Sequence, residues 1–242
     1  MPMQITFRSG DPERKTNLPN DTQRLVVVGT TGSGKTHAAM WHLGMRNFHQ
    51  KPWVVYDWKQ DELINSIDGA FELDVRQPAP EHPGLYIVHP ILDDDDDAVA
   101  AQMKDIWNKE DIGVFVDECY MVAKNNSSFR KLLTQGRSKH IPMIVCTQRP
   151  VWVDKFVFTE SEFKQMFRLQ SEDDREKMAE YVPKEALASV NRLYPLRGPE
   201  MKYWSHYYDG PDDDIQPMHP VPDADVIRSM FHAKLARLKR VV

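Results

Sequence analysis

The 242-residue chain is 41% hydrophobic and 28% charged, with a formal net charge of −5, an ordinary globular composition with room for one sizeable α/β domain plus a small appendage, or for two small domains. The acidic average excludes a protein coated in basic surface, and no run approaches 18 uninterrupted apolar residues, so no membrane-spanning helix is expected. Residues Met1 to Asn20 are polar and lack an apolar h-region, which argues against a signal peptide.

In chain order, residues 1–23 read as a short edge strand, Gln4–Arg8, and a polar linker. Leu25–Val28 is the first core strand. It runs into Gly29-Thr30-Thr31-Gly32-Ser33-Gly34-Lys35-Thr36 and then a helical pattern over Gly34–His49. This is G-x-x-x-x-G-K-[ST] at every fixed position, in the strand–loop–helix context that the motif requires. Glycines let such a loop wrap so that successive backbone N–H groups face phosphate oxygens, and the helix N-terminus adds its partial positive charge. Lys35 is expected on the β- and γ-phosphates of ATP, and the Thr36 hydroxyl on Mg2+.

Further core strands are expected at Trp53–Tyr56 and Leu85–Val88. The five aspartates Asp93 to Asp97 precede a helix expected over Ala98–Asn108, where carboxylates offset the positive end of the helix dipole. The strand Val114–Val116 ends in Asp117-Glu118. A P-loop needs an acid at the tip of a neighbouring strand for the Mg2+ shell, and Asp117 supplies it. Glu118 is placed to polarise the attacking water as general base, a pairing that separates hydrolases from P-loop kinases. No N-K-x-D-like guanine reader is present. Cys119 and Cys146, the two cysteines, sit in apolar runs and read as buried small hydrophobes in a reducing compartment.

Between Lys124 and Lys139 there are five bases and no acid. The loop Lys124-Asn125-Asn126 follows the Asp117 strand and is placed to pass nucleotide state to a DNA backbone, with a solvated helix face as the plainer reading. A helix is expected over Ser128–Gln135, closed by Gly136 as a left-handed C′ residue. The strand Pro142–Cys146 ends in Thr147 and Gln148; if it lies between the P-loop strand and the Asp117 strand, both reach the γ-phosphate. Arg137 stands at the far end of that strand, about 25 Å from Gln148 at strand rise. As an arginine finger it therefore serves a neighbouring subunit, whereas Arg149 could act in its own.

The strand Gln165–Leu169 and the helix Asp173–Tyr181 complete a core over residues 24–182, in which short apolar runs alternate with helices as in a mainly parallel α/β sheet. Residues 183–242 read as a C-terminal appendage. It comprises a short helix (Lys184–Asn191), a hairpin-like pair (Arg192–Leu196 with Met201–Tyr208), a Pro/Asp-rich stretch (Asp209–Pro222) and an amphipathic helix over Asp223–Arg240. That last helix suits DNA binding, capsid or membrane-surface docking, or core packing equally well.

Together these segments resemble the FtsK–HerA superfamily of DNA-pumping ATPases, within the additional-strand, catalytic-glutamate class of P-loop proteins. Val27 to Thr36 looks like its Walker A motif and Val114 to Glu118 its Walker B. Asp57-Trp58-Lys59 resembles the Asp-x-Lys end of the family's second strand. Gln135-Gly136-Arg137 through Thr147-Gln148-Arg149-Pro150 resembles its glycine–arginine turn and sensor strand. The short chain is most similar to genome-packaging ATPases of tailless, internal-membrane double-stranded DNA viruses. That resemblance implies a hexameric ring at a capsid vertex, in the host cytoplasm or on the virion, threading double-stranded DNA into a preformed shell. A related ATPase moving single-stranded DNA or protein, and a nucleotide-gated scaffold, are the alternatives.

Overall fold

Leu25 to Val28 carries no polar side chain on either face, and a strand of that kind must be covered on both sides. The computed structural model supplies that cover; it describes residues 5–6, 15–122, 124, 126–184, 187 and 203–238. A two-stranded ribbon pairs β1 (Ile5–Thr6) with β2 (Lys15–Thr16). Among the described residues the main sheet has nine strands in the order β11-β10-β9-β3-β8-β7-β4-β6-β5. Its members are β3 (Arg24–Val28), β4 (Pro52–Asp57), β5 (Phe71–Glu72), β6 (Gly84–Val88), β7 (Gly113–Asp117), β8 (Met143–Thr147), β9 (Phe163–Met166), β10 (Ser205–Asp209) and β11 (Asp214–Met218). All neighbours from β9 to β5 run parallel, whereas β10 and β11 are antiparallel.

Because successive strand residues face opposite ways, each strand feeds two cores. Leu25 and Val27 join one, with Trp53, Val55, Phe115 and Ile144, beneath α1 (Lys35–Gly44) and α2 (Glu62–Asn65). Val26 and Val28 join the other, with Val54, Tyr56, Val114 and Val116, beneath α3 (Asp96–Lys109) and α4 (Ser127–Gln135). The short helices α5 (Phe156–Thr159) and α6 (Glu172–Met178) flank β9. Trp53 and Gly113 are register partners on β4 and β7, and a Cβ at Gly113 would lie 2.2 Å from the Trp53 indole. Gly113→Ala should therefore destabilise the protein by about 3 kcal/mol through overpacking. Denaturant unfolding checks this, and an unchanged midpoint would contradict the packing.

Several expected boundaries move, each for a local reason. Helix α1 stops at Gly44 instead of His49, because Arg46 turns inward to donate to the carbonyls of Pro19 and Asn20 while Phe48 enters the core. Strand β9 begins earlier than its apolar pattern suggests. Its polar Lys164 and Gln165 are satisfied inside, Lys164 by the Ser161 carbonyl at 2.8 Å and Gln165 by His42 and Ser205. Gly136 is right-handed (φ −60°), and the left-handed residue is His140, which ends a 3-10 turn over Gly136–Lys139.

The expected hairpin partner Arg192–Leu196 lies outside the described residues, as does most of the helix expected over Lys184–Asn191. Strand β10 pairs instead with β9 and with β11, inside the stretch whose Pro/Asp content hid it. Among the described residues β11 forms the sheet edge, where Pro217 is tolerated because no further ladder there needs an N–H from it. Helix α7 (Ala224–Leu238) packs Ile227, Phe231 and Leu235 into the α1 side of the core. Of the three readings of that helix, core packing holds for its described apolar face.

Candidate active site

All parallel strands end on one side of the sheet, and the polar residues that follow them converge there. The loop after β3 is fixed by Gly29 N–H donating to the Thr147 carbonyl (3.2 Å) and Thr30 N–H donating to the Arg168 carbonyl (3.1 Å). Gly32 (φ 73°) and Gly34 (φ 93°) occupy the left-handed region, which bends the loop back onto α1. Ala38 N–H bonds the Gly34 carbonyl at 2.9 Å, so the helix starts directly at Lys35. The Ser33 hydroxyl is buried without a partner, while Thr31 and Gly32 are exposed at the rim.

Strand β8 does lie between β3 and β7, so the ends of those strands meet. Glu118 is fully buried and left-handed (φ 56°), a strained conformation of the kind held at functional sites. One of its oxygens, Oε1, accepts from three donors: Lys35 Nζ at 2.5 Å, Lys59 Nζ at 2.8 Å and Gln148 Nε2 at 2.6 Å. Thr31 Oγ1 in turn donates to Gln148 Oε1 at 2.6 Å. Four of the residues singled out from sequence, Thr31, Lys35, Glu118 and Gln148, are thus one hydrogen-bonded cluster. Burial opposes ionisation of Glu118, but Lys35, Lys59 and Gln148 outweigh it and hold the carboxyl below the usual carboxylate range. Burial also works against the Lys35 ammonium, which Glu118 and Asp117 more than offset.

Asp117 is placed differently. It is 1% exposed, and its Oδ1 is buried with no hydrogen-bond partner. Burial pushes its carboxyl up to about 7 against the opposing pull of Lys35. A buried carboxylate with an unpaired oxygen beside the Lys35 ammonium suits a divalent cation that takes its remaining ligands from phosphate and water. Among the described residues no group of three His, Cys, Asp or Glu forms a protein-only cage, and such a cation does not need one.

Lys59 was visible in the sequence only as part of a resemblance; its contact with Glu118 follows from sheet register. Strands β4 and β7 pair Asp57 with Asp117, so the turn after β4 lies against the turn after β7. Asp57 holds that turn by accepting from Lys59 N–H (3.1 Å) and Asp61 N–H (2.8 Å).

No family model matches the chain. It is 46% identical over 218 residues to the DNA packaging ATPase P9 of Enterobacteria phage PRD1, across 88% of this chain and 94% of that one. The chain belongs to the P9 family of DNA packaging ATPases. Among solved structures it resembles the genome packaging NTPase B204 of Sulfolobus turreted icosahedral virus 2. In complex with sulfate, B204 superposes with a TM-score of 0.64 at 17% identity, over 85% of this chain and all of that one. With ATP-gammaS the TM-score is 0.61. EccC (ATPases 2 and 3) of Thermomonospora curvata gives 0.59 at 13% identity, over 95% of this chain and 44% of that one. These likenesses place the mainly parallel α/β sheet among P-loop NTPases, as the motif order implied.

In this P9-family ATPase the expected arginines lie apart. Arg149 pairs with Asp174 at 2.9 Å at the sheet end that carries the P-loop. Arg137 is at the opposite sheet end, where its side chain is 72% exposed and 3.9 Å from Glu162. The basic stretch 124–139 is less free than its composition suggests. Arg130 pairs with Asp154, Lys139 pairs with Glu110, and Lys131 lies 4.1 Å above the Trp107 ring. Lys124 is exposed, Asn126 caps α4 by accepting from Phe129 N–H, and the intervening Asn125 lies outside the described residues.

Proposed function

We propose that this protein is the ATP-hydrolysing motor of a virus or phage that pumps double-stranded DNA into a preformed capsid. The observation that carries this reading is the buried pair Lys35–Glu118 at the P-loop of a chain nearly half identical to P9.

The loop amides of residues 29–34, the Lys35 ammonium and the α1 N-terminus hold the triphosphate. Thr36 and Asp117 would hold Mg2+, which would supply positive charge against the triphosphate. Lys35 is shared between two anions: as the γ-phosphate draws it, Glu118 loses its strongest partner and its proton affinity rises. Glu118 then accepts a proton from water as the water oxygen bonds to the γ-phosphorus and the β–γ bridge bond breaks. ADP and phosphate leave, and the proton passes to phosphate or solvent. Gln148, bonded to both Glu118 and Thr31, orients the water and relays the state of the rim.

Arg137, too far from its own Lys35, completes the site of the next subunit, which suits a hexameric ring. The described helices include none long and apolar enough to cross a membrane. A capsid-vertex protein is the expected docking partner, in the host cytoplasm or at the virion vertex.

The test is ATPase stimulation by polymer. Duplex DNA should raise turnover several-fold more than single strands of equal length. The effect should fall with added salt and stay indifferent to sequence, since phosphate contacts dominate. Stimulation by single strands alone would move the protein to the related class of single-strand movers.

A further inference from the structure

The P-loop accounts for the triphosphate and leaves the nucleoside without a seat. We infer that the C-terminal hairpin supplies it: a cavity of about 410 Å3 beside the P-loop takes base and ribose, with Tyr203 stacking on the base and the fit set by shape instead of base-edge hydrogen bonds. This rests on the P-loop being the triphosphate site.

Topology explains why residues so far apart in sequence meet there. Strand β9 is parallel to β3, so Phe167, directly after it, lies beside the P-loop; Phe167 N–H donates to the Val28 carbonyl at 2.8 Å. Strand β10 is antiparallel to β9, so its beginning lies at that same sheet end, and so does the end of β11. Tyr203 comes just before β10 and Pro220 just after β11, with Ser205 opposite Met218 in the last ladder pair. The Trp204 and His219 rings, 3.9 Å apart, tie the two walls together. On the remaining side, His37 projects from the first turn of α1, directly after Lys35 and Thr36.

The occupant follows from continuity. Gly32 and Gly34 line both this cavity and the phosphate loop, so a molecule filling one continues into the other. A Cβ at Gly34 would come 3.0 Å from Tyr203 Cδ1, so the tyrosine packs directly on the loop, yet it remains 45% exposed. Among the described residues the rest of the lining is Phe167, the segment Pro220-Val221-Pro222, Asp223 and Ala224. Asp223 Oδ1 accepts from Val226 N–H at 3.0 Å and so caps α7. Among the described lining residues, the Tyr203 hydroxyl, His37 and Asp223 are the side-chain groups able to meet a base edge, and all three residues are exposed, so a bond to the base only replaces one to water. A site built to hydrogen-bond its ligand can reject an analogue by about 10^4-fold, and a stacking site cannot.

Equilibrium titration of the full chain with Mg2+–ATP, Mg2+–GTP and Mg2+–tripolyphosphate tests this. Tyr203→Ala should weaken both nucleotides about tenfold, in line with base–aromatic stacking, and leave tripolyphosphate within about twofold. Tyr203→Phe should restore wild-type affinity. Tyr203→Leu, which keeps apolar packing over Gly34 without the aromatic face, should show the same split as alanine. Wild-type ATP and GTP affinities should agree within about fivefold. The proposal is overturned if tripolyphosphate weakens in parallel with ATP, if ATP affinity ignores Tyr203, or if ATP is preferred over GTP by more than about a hundredfold. Absence of tripolyphosphate binding to the wild type would instead overturn the underlying phosphate-site reading.

Discussion

Glu118→Gln should slow ATP hydrolysis by about 10^2- to 10^4-fold, the range for loss of a positioned general base, while nucleotide binding survives. The amide is nearly isosteric and can keep a hydrogen bond to Gln148, so the geometry is preserved. What disappears is the charge that faces Lys35 and Lys59. Lys35, buried and stripped of its nearest carboxylate, should cost the nucleotide-free protein about 1–3 kcal/mol. Mg2+–ATP brings its own negative charge to that ammonium, so its affinity should equal or exceed that of the wild type. Ligand-induced thermal stabilisation should be correspondingly larger. Steady-state turnover and thermal unfolding with and without Mg2+–ATP check both halves. Turnover within tenfold of the wild type would remove Glu118 from the chemistry.

Lys35→Ala should weaken Mg2+–ATP binding by at least about a hundredfold and reduce hydrolysis to background, since charge-assisted bonds to phosphate contribute about 1.5–3 kcal/mol each. Folding should suffer less than loss of a buried partner usually implies. Glu118 keeps Lys59 at 2.8 Å and Gln148 at 2.6 Å, so its carboxylate is not abandoned. The dead subunit also serves a second purpose. It retains Arg137 on its exposed far side, so mixing Lys35→Ala with Arg137→Ala subunits should recover part of the turnover if the arginine acts across an interface. No recovery at matched assembly would count against that role.

Much of this site is legible in the sequence, because a P-loop is a local device: the glycines at 32 and 34 and the Lys-Thr pair are fixed by backbone conformation within a few residues. The acids Asp117 and Glu118 are legible for a similar reason, as polar residues ending an apolar run. What could not be read locally depends on register. Lys59 reaches Glu118 only because β4 pairs Asp57 with Asp117. The hairpin β10–β11 was obscured because its residues are favoured in turns as much as in strands: Gly210 is required where a Cβ would strike the Glu162 carbonyl at 2.4 Å, and Pro217 sits on an edge. The basic stretch 124–139 counted charges correctly but not their partners Asp154, Glu110 and Glu162, which precede or follow it in the chain and meet it only after folding.

Isothermal titration of the folded, metal-supplemented wild-type chain with a non-hydrolysable ATP analogue bears most directly on this account. Saturable binding at one site per chain is predicted, dependent on Mg2+ and lost in Lys35→Ala. Well-folded protein that binds no analogue, or binds it equally well without Lys35, would contradict it.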